Sequence, residues 1–306
     1  MRRCLKCSAK SVVYLPQHRL ALCKEHYLEW YLKRVEDTIK EFRMFDRTNR
    51  VLVAVSGGKD SLSLWDALLS LGYKMDGLYI NLGIGHYSEL SRKVCEEFAK
   101  SKKAVLHTVE LEKDMASIPS LKEMEKRPVC SLCGQIKRYY LNRYARELGY
   151  EVIATGHNLD DETATLFSNT LSWQLEYLKR QYPVLSEGNG FVRKVKPLFK
   201  MSEKENALYA FLRGINFVEE ECPFAEGASS VEYKRLLSQI EEKSPGTKLR
   251  FYTEFIRRVH PILKQEGGVP IGACSVCGEP TTSDVCSVCR LKARLSLGSS
   301  SSSPSS

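Results

Sequence analysis

The clearest pattern in the chain is a short apolar run, followed by a glycine-rich turn and a segment with helical periodicity. The run Val51–Val55 contains no polar residue, as is typical of a strand buried on both faces of a parallel sheet. After the turn, Leu64, Leu68 and Leu71 recur at helical spacing until Gly72, a residue type that commonly ends a helix. The pattern predicts a strand, a loop and a helix in that order.

The same alternation continues through the middle of the chain. It predicts strands at Gly77–Leu82, Ala104–Val109 and Val152–Thr155, and a helix over Ser88–Lys102. Beyond about Phe199 the pattern is mainly helical. Strands that alternate with helices indicate an α/β fold, here a doubly wound parallel sheet with helices on both faces. A ligand is then expected at the carboxyl ends of the strands.

Cysteine-rich segments at the two ends flank this central body. A basic amphipathic stretch from about Tyr27 to Phe45 predicts a helix that links the first of them to the body. Residues 298–306 are almost all serine, a composition typical of disorder. The predicted segments are an N-terminal zinc module (1–28), a linker helix (29–48), a catalytic domain (49–222), a helical extension (223–268), a C-terminal zinc ribbon (269–293) and a disordered tail (294–306).

Composition narrows the class of protein. The 306 residues are 43% hydrophobic, enough for a packed core, and 46 Lys and Arg against 37 Asp and Glu give a net charge of +9, which weakly favours a polyanionic partner. The sequence shows neither a signal peptide nor an apolar segment of the roughly 20 residues that span a bilayer, so a soluble, cytoplasmic protein without membrane contact is expected. In a reducing compartment, 11 cysteines, most of them at CxxC spacing, indicate metal binding rather than disulfides.

Paired ligands at both ends of the chain have the spacing of structural zinc sites. Each set can surround a zinc ion tetrahedrally, and bound zinc contributes roughly 10–16 kcal/mol to the folding of modules too small for a core of their own. Two structural zinc ions are therefore predicted. The first set is Cys4, Cys7, Cys23 and His26, and the second is Cys274, Cys277, Cys286 and Cys289.

The glycine-rich turn reads Ser56-Gly57-Gly58-Lys59-Asp60-Ser61. Between a buried strand and a helix, glycines let the backbone approach a phosphate closely, and the helix N-terminus adds N–H donors and positive potential. The spacing is neither that of a Walker P-loop nor that of a dinucleotide site, which disfavours kinases, GTPases and dehydrogenases. The turn predicts a phosphate-binding loop, with a merely structural turn as the alternative.

A second polar loop follows the strand Val152–Thr155 and begins a helix. It reads Gly156-His157-Asn158-Leu159-Asp160-Asp161, and it brings paired carboxylates to the same edge of the sheet as the glycine loop. Acidic residues also stabilise the start of a helix, and we assign that structural role to Asp160. Asp161 is predicted to be catalytic, whereas His157 suits a structural hydrogen-bonding role equally well.

Three cysteines in the interior form a separate set. Cys130 and Cys133 are a CxxC pair without a second pair nearby, and Cys222 precedes a proline outside regular structure. Three thiolates leave one iron of a [4Fe–4S] cluster open, whereas a structural zinc ion needs four ligands. The rival accounts are a persulfide on Cys130 or Cys133 that Cys222 resolves through a disulfide, and a purely structural set of thiols. Cys95 lies within a predicted helix and is expected to be buried and inert.

Basic and aromatic side chains accompany these motifs. Lys137 lies four residues after Cys133 on the same side of a predicted helix, where an ammonium can stabilise charge on a phosphate or base oxygen; a plain surface lysine is the alternative. Further residues predict either a surface that pairs with phosphates and stacks on bases, or a solvated basic face. They are Arg138, Arg143, Arg146, Lys179, Arg180, Arg193, Lys194, Lys196, Arg250, Arg257 and Arg258, with Tyr139, Tyr140, Tyr144, Tyr177 and Tyr182.

The order of these motifs along the chain resembles that of TtuA-type tRNA 2-thiouridine synthetases, members of the PP-loop ATP-pyrophosphatase family. The resemblance implies cleavage of ATP between its α- and β-phosphates, magnesium at Asp60, and catalytic roles for Lys137 and Asp161. It also implies a [4Fe–4S] cluster on the three interior cysteines, Cys130, Cys133 and Cys222. The implied ATP-binding residues are Ala54, Val55, Ser56, Gly57, Gly58, Lys59, Asp60, Ser61, Ile80 and Gly156, with adenine near Ile80 and Asn81.

The reaction that this resemblance implies is 2-thiolation of tRNA. A uridine O2, expected to be that of the T-loop 5-methyluridine at position 54, attacks the α-phosphate, and sulfur then displaces AMP. A ubiquitin-like carrier protein with a thiocarboxylate as sulfur donor and a homodimeric enzyme are implied by resemblance alone. Wobble-uridine thiolation stays open, cytidine thiolases lack both zinc modules, and a zinc-stabilised RNA-binding adaptor is the non-enzymatic alternative.

Overall fold

A computed structural model of the protein describes residues 2–225, 229–264 and 270–299. The chain begins with a small antiparallel hairpin, formed by β1 (Val13–Leu15) and β2 (Leu20–Leu22). The hairpin leads into the long helix α1 (Lys24–Glu41), which starts directly after Cys23 and so includes His26 in its first turn. This helix confirms the predicted link between the first cysteine-rich segment and the body.

The body is built on a six-stranded sheet. Its strands are β3 (Val51–Val55), β4 (Met75–Asn81), β5 (Leu106–Glu110), β6 (Val152–Thr155), β7 (Val184–Leu185) and β8 (Arg193–Val195). They lie in the order β5-β4-β3-β6-β8-β7, and every neighbouring pair is parallel except β7 with β8. The first crossover places β4 beside β3 and a later one places β6 on the other side, so the carboxyl ends of β3, β4 and β6 meet at one edge.

Helices cover both faces of the sheet, as the alternating pattern predicts. Those in the body are α2 (Lys59–Ser70), α3 (Gly85–Lys102), α4 (Ile118–Met124), α5 (Val129–Glu147), α6 (Leu159–Leu171), α7 (Leu175–Lys179) and α8 (Glu203–Arg213). The helical extension contains α9 (Ser229–Lys243), α10 (Thr247–Glu254), a π-helical turn (Phe255–Val259) and α11 (His260–Lys264). The mainly helical character expected beyond Phe199 is thereby confirmed.

Strands β8 and β7, at one end of the sheet order, were not predicted. Both are short, and β8 reads Arg193-Lys194-Val195, a polar sequence without the apolar run that marks a buried strand. The strand forms because its backbone pairs with β6 in parallel, with Lys194 beside Ile153. Tertiary pairing thus creates a strand where local propensity is weak.

The C-terminal module consists of β9 (Gly272–Ala273), β10 (Pro280–Thr281) and helix α12 (Ser287–Ser299). This helix continues past residue 294, where a disordered tail was predicted to begin, so that prediction is wrong as far as Ser299. The helix persists because Leu291 is buried and Leu295 packs against the core of the body. Residues 300–306 lie outside the described part of the chain.

Alternate residues of the central strand feed two apolar clusters. Val51, Val53 and Val55 belong to one cluster and Leu52 to the other, because successive strand residues point to opposite faces. On the first face, Tyr31 of α1 stacks on Tyr209 of α8, with ring centroids 3.9 Å apart. On the second face, α5 and α12 pack together through apolar residues of the same cluster. Each cysteine-rich module is therefore anchored to one face of the sheet.

Buried ion pairs join the helical extension to the start of α6. Lys248 of α10 lies 2.5 Å from Asp160, and both side chains are buried. Both carboxylate oxygens of Asp160 have a partner, because the backbone N–H of Glu203 donates to the second oxygen at 2.8 Å. Two residues further along α6, Glu162 accepts hydrogen bonds from Lys196 and from the Tyr252 hydroxyl. The contacts of Lys248 and Tyr252 fix the extension against the first turn of α6.

In the described ranges, no helix is both long enough and apolar enough to cross a membrane.

Replacing Lys248 by Ala should destabilise the fold by about 3–5 kcal/mol, because the Asp160 carboxylate would stay buried without its counter-charge. Urea unfolding monitored by circular dichroism measures the change. The matched control is Lys204→Ala, which removes an exposed pair with Glu242 and should cost at most about 0.5 kcal/mol. Equal losses in the two variants would show that the buried pair does not anchor the extension.

Candidate functional site

A cavity of about 410 Å³ opens at the edge where β3, β4 and β6 end. It lies where the sheet topology predicts a ligand, and most of the residues predicted from sequence contribute to it. The predicted residues that line it are Ala54, Val55, Ser56, Asp60, Ser61, Ile80, Lys137, Gly156 and Asp161. Gly57, Gly58 and Lys59 belong to the loop that borders the cavity.

The glycine loop needs its first glycine for two reasons. Gly57 has φ +79°, a left-handed conformation that other residues rarely adopt, and a Cβ there would lie 3.0 Å from the backbone of Ser91. The turn is closed by Ser61, whose hydroxyl donates to the Gly58 carbonyl and accepts from the Ser56 N–H. The result is a compact loop at the N-terminus of α2, a position at which backbone N–H groups commonly bind phosphate.

The second polar loop packs directly against the first. A Cβ on Gly156 would lie 2.8 Å from the Ser61 nitrogen, so only glycine allows this approach. Asn158 caps α6 by accepting from the N–H groups of Asp160 and Asp161, and Asp161 accepts from the Asn158 N–H in return. The Asn158 amide also donates to Asp60, at 3.1 Å. The two loops therefore set the position of Asp60 and Asp161 relative to each other.

Asp160 and Asp161 have different surroundings. Asp160 is buried in its ion pair with Lys248, whereas Asp161 lines the cavity and pairs with Lys234 at 2.5 Å. Burial alone would raise the pKa of Asp161, but the Lys234 ammonium holds that pKa below its ordinary value. Asp161 is thus an ionised carboxylate at the cavity wall. The structure thus encloses Asp160 and places Asp161 at the cavity wall, and the catalytic role of Asp161 stays a prediction.

Asp60 is surrounded by donors as well as charge. The Asn206 amide of α8 donates to it at 2.7 Å, and Lys59 lies 3.4 Å away. Burial raises the pKa of Asp60, the Asp161 carboxylate adds to that rise, and Lys59 opposes it. Two carboxylates at one cavity wall, of which Asp161 raises the pKa of Asp60, are a suitable site for a divalent cation.

Two residues of this charge network were missed by sequence reasoning. Glu203 at the start of α8 lies 2.6 Å from Lys59, and Lys234 of α9 lies 3.7 Å from Glu203. Both belong to helices far along the chain from the glycine loop, in segments whose pattern is simply amphipathic. No local motif marks them, since only the packing of α9 on α6 brings Lys234 to the cavity edge.

His157 has a structural role. It lies within hydrogen-bond distance of the Thr155 hydroxyl, at 2.9 Å. Burial lowers its pKa, and the nearby Lys196 ammonium lowers it further, so the imidazole is neutral at pH 7. Of the two interpretations left open by the sequence, the geometry favours the hydrogen-bonding one.

Further cavity-lining residues come from α3, α5 and the end of β4. Asn81, expected near the adenine, instead turns its amide to Glu110 at 2.7 Å, and its carbonyl accepts from the Gly83 N–H. The additional lining residues are Leu78, Tyr79, Leu82, Tyr87, Ser88, Ser91, Gly134, Arg138, Leu141, Thr155 and His157. Those on α3 have no motif of their own, and only the fold reveals them.

The interior cysteines converge next to this cavity. Cys130 lies exposed in the first turn of α5, while Cys133 and Cys222 are half-buried against the second apolar cluster. Burial raises the pKa of Cys133, negative charge on Cys222 and Cys130 raises it further, and the Lys137 ammonium opposes these effects. Lys137 also lines the cavity, so one side chain connects the thiols with the ligand site.

The spacing of these three thiols differs from that of a mononuclear site. Their sulfur atoms do not all approach within 4.8 Å, the limit within which each four-ligand set of the end modules falls. Separate iron atoms of a [4Fe–4S] cube would each take one thiolate, so such a site does not need all three sulfur atoms around one metal ion. The fourth interior cysteine, Cys95, is buried, and burial raises its pKa to about 12, as expected for an inert thiol.

Both end modules bring four ligand atoms together. In the first, Cys7 and Cys23 lie 3.7 Å apart, and the Nδ1 atom of His26 lies 3.2 Å from Cys23. In the second, Cys277 and Cys286 lie 3.8 Å apart. Zinc–sulfur bonds of about 2.3 Å in a tetrahedron place two sulfur atoms roughly 3.8 Å apart, so both sets fit zinc.

Several predicted tRNA-facing aromatic residues do not face solvent. Tyr139 and Tyr140 of α5 are buried in the second cluster, and the Tyr140 hydroxyl donates to Asp114 at 2.7 Å. Prediction of a stacking role for these two residues is therefore wrong, because their helix turns that face toward the core. Tyr177 is exposed, and it lies near the Arg138 guanidinium at the cavity.

Two protein-family models match the parts of the chain described above. A family model described as a PP-loop domain matches residues 31–226. A second, described as the N-terminal LIM domain of 2-thiouridine synthetase TtuA, matches residues 3–28. The two matches cover the first metal-binding module and the whole sheet.

The chain is similar over most of its length to proteins named tRNA-5-methyluridine(54) 2-sulfurtransferase. It is 47% identical to the one from Thermus thermophilus, over 94% of this chain and 90% of that protein. It is 42% identical to the one from Thermotoga maritima, over 95% of this chain and 96% of that protein. Among solved structures, U34-tRNA thiolase NcsA from Methanococcus maripaludis with its [4Fe-4S] cluster aligns with a TM-score of 0.81 and 25% identity, covering 96% of this chain and 97% of that one.

Removing one ligand from the second metal set should remove one metal ion. Cys274→Ser is expected to lower zinc content by about one equivalent, measured by inductively coupled plasma mass spectrometry, because three remaining ligands bind zinc far more weakly. Cys95→Ser changes an equally buried cysteine outside either set and should leave zinc content unchanged. Unaltered zinc in Cys274→Ser would refute the assignment.

Proposed function

The chain belongs to the PP-loop family of TtuA-type tRNA 2-thiouridine synthetases, and from this membership we propose that it thiolates the T-loop 5-methyluridine at position 54 of tRNA. The enzyme is a tRNA 2-sulfurtransferase that uses ATP as co-substrate. One observation carries the proposal: Lys137 lies between the cavity that the glycine loop borders and the thiol of Cys133. ATP activation and sulfur delivery thus share one site.

The first step activates the base. With the pyrophosphate portion of ATP against the loop Ser56–Ser61, the α-phosphorus lies toward the cavity, where the uridine O2 attacks it and pyrophosphate leaves. Asp60 and Asp161 are the residues that would hold magnesium, which neutralises phosphate charge when bound. Lys137 faces the same cavity, and its ammonium stabilises the negative charge that develops on the phosphate oxygens.

The second step replaces oxygen by sulfur. A sulfide-level sulfur attacks C2 of the adenylated base, and AMP leaves with the former O2 atom, so no electron is gained or lost. Cys130, Cys133 and Cys222 would hold a [4Fe–4S] cluster, whose fourth iron, without a protein ligand, supplies a site for that sulfur. Lys137, which lines the cavity, lies beside the Cys133 thiol, so sulfur bound at this cluster would be near the ATP site.

The donor set favours a cluster over the persulfide alternative. Cys133 is half-buried and its pKa is raised, which disfavours a persulfide on that residue, whereas Cys130 is exposed and accessible. The three thiols lie on two separate segments next to the cavity, an arrangement that suits a shared cofactor. Zinc on the two end sets would be structural, since each set supplies four ligands and leaves no open position.

The choice of nucleotide rests on degree of similarity. Two relatives named tRNA-5-methyluridine(54) 2-sulfurtransferase are 47% and 42% identical to this chain, whereas the U34-tRNA thiolase is 25% identical. We therefore favour position 54 over the wobble position. A ubiquitin-like protein thiocarboxylate as the sulfur donor and a homodimeric assembly complete the proposal, both by family resemblance.

A cationic and aromatic surface beside the cavity suits the tRNA. Arg138 lines the cavity, and Lys194 of β8 and the exposed Tyr177 lie near its guanidinium. Burial and the Arg138 charge lower the pKa of Lys194 to about 8. Lys59, Lys196, Lys234 and Lys248 each face a carboxylate, but no ion pair among the described residues joins Arg138 or Lys194 to one.

Cations that have no ion-pair partner among the described residues, next to an exposed aromatic ring, are suited to bind a nucleotide whose base is unstacked. The phosphate of the target nucleotide offers the missing negative charge, and Tyr177 offers a face for an unstacked base. We assign Arg138, Lys194 and Tyr177 to the binding of the nucleotide that is thiolated.

The first test combines pyrophosphate release with nucleoside mapping. Anaerobically reconstituted protein with iron and sulfide, given ATP and tRNA that lacks the thio group, should release pyrophosphate only when that tRNA is present. Mass spectrometry of the digested tRNA should then find 5-methyl-2-thiouridine at position 54. Full thiolation by rigorously iron-free protein would overturn the cluster assignment, a product at position 34 would overturn the nucleotide, and an RNA-binding adaptor would release no pyrophosphate.

The second test separates tRNA binding from ATP binding. Lys194→Ala and Tyr177→Ala should each raise KM for tRNA on the order of tenfold, the loss expected for one phosphate contact or one stacked base, while KM for ATP changes less than about twofold. Lys33→Ala, which removes an exposed lysine of α1 that pairs with Asp37, serves as the control and should leave both constants unchanged. A rise confined to KM for ATP would show that these residues belong to the ATP site.

A further inference from the structure

Three carboxylates and two ammonium groups meet at the end of the glycine loop. Lys59 of the loop lies 2.6 Å from Glu203 and 3.4 Å from Asp60. Lys234 of α9 lies 2.5 Å from Asp161 and 3.7 Å from the same Glu203 carboxylate. Glu203 therefore brings Lys234 to the loop that binds the phosphates, although the two lysines are far apart in sequence.

Lys234 is held in this position by the fold. Helix α9 packs along α6, the helix that Asp161 begins, and the Lys234 side chain is largely enclosed, with about 30% of it exposed. Two carboxylates, Asp161 at 2.5 Å and Glu203 at 3.7 Å, hold the ammonium there.

Binding of ATP and magnesium changes which of these charged groups can pair with each other. A divalent cation on Asp60 and Asp161 repels an ammonium only 2.5 Å from the same Asp161 carboxylate. ATP meanwhile brings a triphosphate of about four negative charges to the adjoining loop. An ammonium displaced from Asp161 needs another anion to pair with. The terminal phosphates of ATP are the nearest new one, because they bind at the loop where Lys59 and Glu203 already lie.

We propose that Lys234 is a second phosphate-binding lysine, which exchanges Asp161 for the β- and γ-phosphates when ATP and magnesium bind. In this arrangement the helical extension, through Lys234, contacts the part of ATP that leaves as pyrophosphate. The inference rests on the proposed ATP-dependent function and adds to it a residue from outside the predicted catalytic domain.

The chain offers a matched control one residue further along α9. Arg235 carries the same charge on the same helix, but it is exposed and forms its ion pair with Glu232, at 2.7 Å. Removing Arg235 tests whether any loss of cationic charge on α9 weakens ATP binding. Lys234→Arg keeps the charge and tests rescue.

Calorimetric titration of the full-length protein with ATP and with AMP, both in excess magnesium, tests the inference without turnover. Lys234→Ala should weaken ATP binding on the order of tenfold, as expected for one charge-assisted contact, and should leave AMP binding within about twofold, because AMP lacks the β- and γ-phosphates. Lys234→Arg should retain most of the ATP affinity, and Arg235→Ala all of it. Should Lys234→Ala fail to fold, Lys234→Gln is measured in the same way.

Other results separate the possible failures. An equal loss of ATP and AMP affinity would give Lys234 a merely structural role in holding Asp161, and unchanged ATP affinity would remove it from the site altogether. Either outcome overturns the inference while leaving the proposed function intact. If the wild-type protein itself bound ATP no more tightly than AMP, the proposed phosphate-binding loop would be at fault instead.

Discussion

Charges that are withdrawn from water at the edge of the sheet have to be matched, because an unpaired buried carboxylate or ammonium costs several kcal/mol. This constraint determines how the elements of the protein are joined. Asp160 attaches the helical extension through Lys248, and Glu162 attaches the end of β8 through Lys196. Asp161 and Glu203 hold the side chains that border the phosphate loop. The helices that follow the sheet are therefore needed to neutralise the acidic first turn of α6.

The same requirement separates structural from functional charges. Pairs that are enclosed on all sides, such as Asp160 with Lys248, fix the backbone and stay closed. Pairs at the cavity wall, such as Asp161 with Lys234, are exchangeable when a more highly charged ligand arrives. Arg138 and Lys194, for which the described part of the chain provides no ion-pair partner, lie at the cavity and beside it, where we propose that tRNA binds. Lys137 lies between the cavity and the thiol of Cys133, which would bring the proposed activation by ATP and attack by sulfur close together.

Local patterns were sufficient to predict the sheet and the ligand sets. Val51–Val55 and Val152–Thr155 are apolar runs whose bounds the structure reproduces, and both zinc sets follow from spacing alone. What could not be predicted depends on tertiary contacts. Strand β8 forms by pairing with β6 despite its polar sequence, Tyr139 and Tyr140 turn inward with the face of α5, and Lys234 reaches the cavity only because α9 packs on α6. A basic residue on an amphipathic helix gives no sign of which carboxylate it will meet.

The central claim is that ATP activates the base itself, so that the oxygen lost from uridine leaves on AMP. Transfer of ¹⁸O measures this directly: tRNA labelled with ¹⁸O at the O2 atom of the target uridine is thiolated in ordinary water, and the products are analysed by mass spectrometry. The account predicts one ¹⁸O atom in AMP for each thio group formed, and none in pyrophosphate. Unlabelled AMP, with the heavy oxygen released to water or found in pyrophosphate, would contradict it.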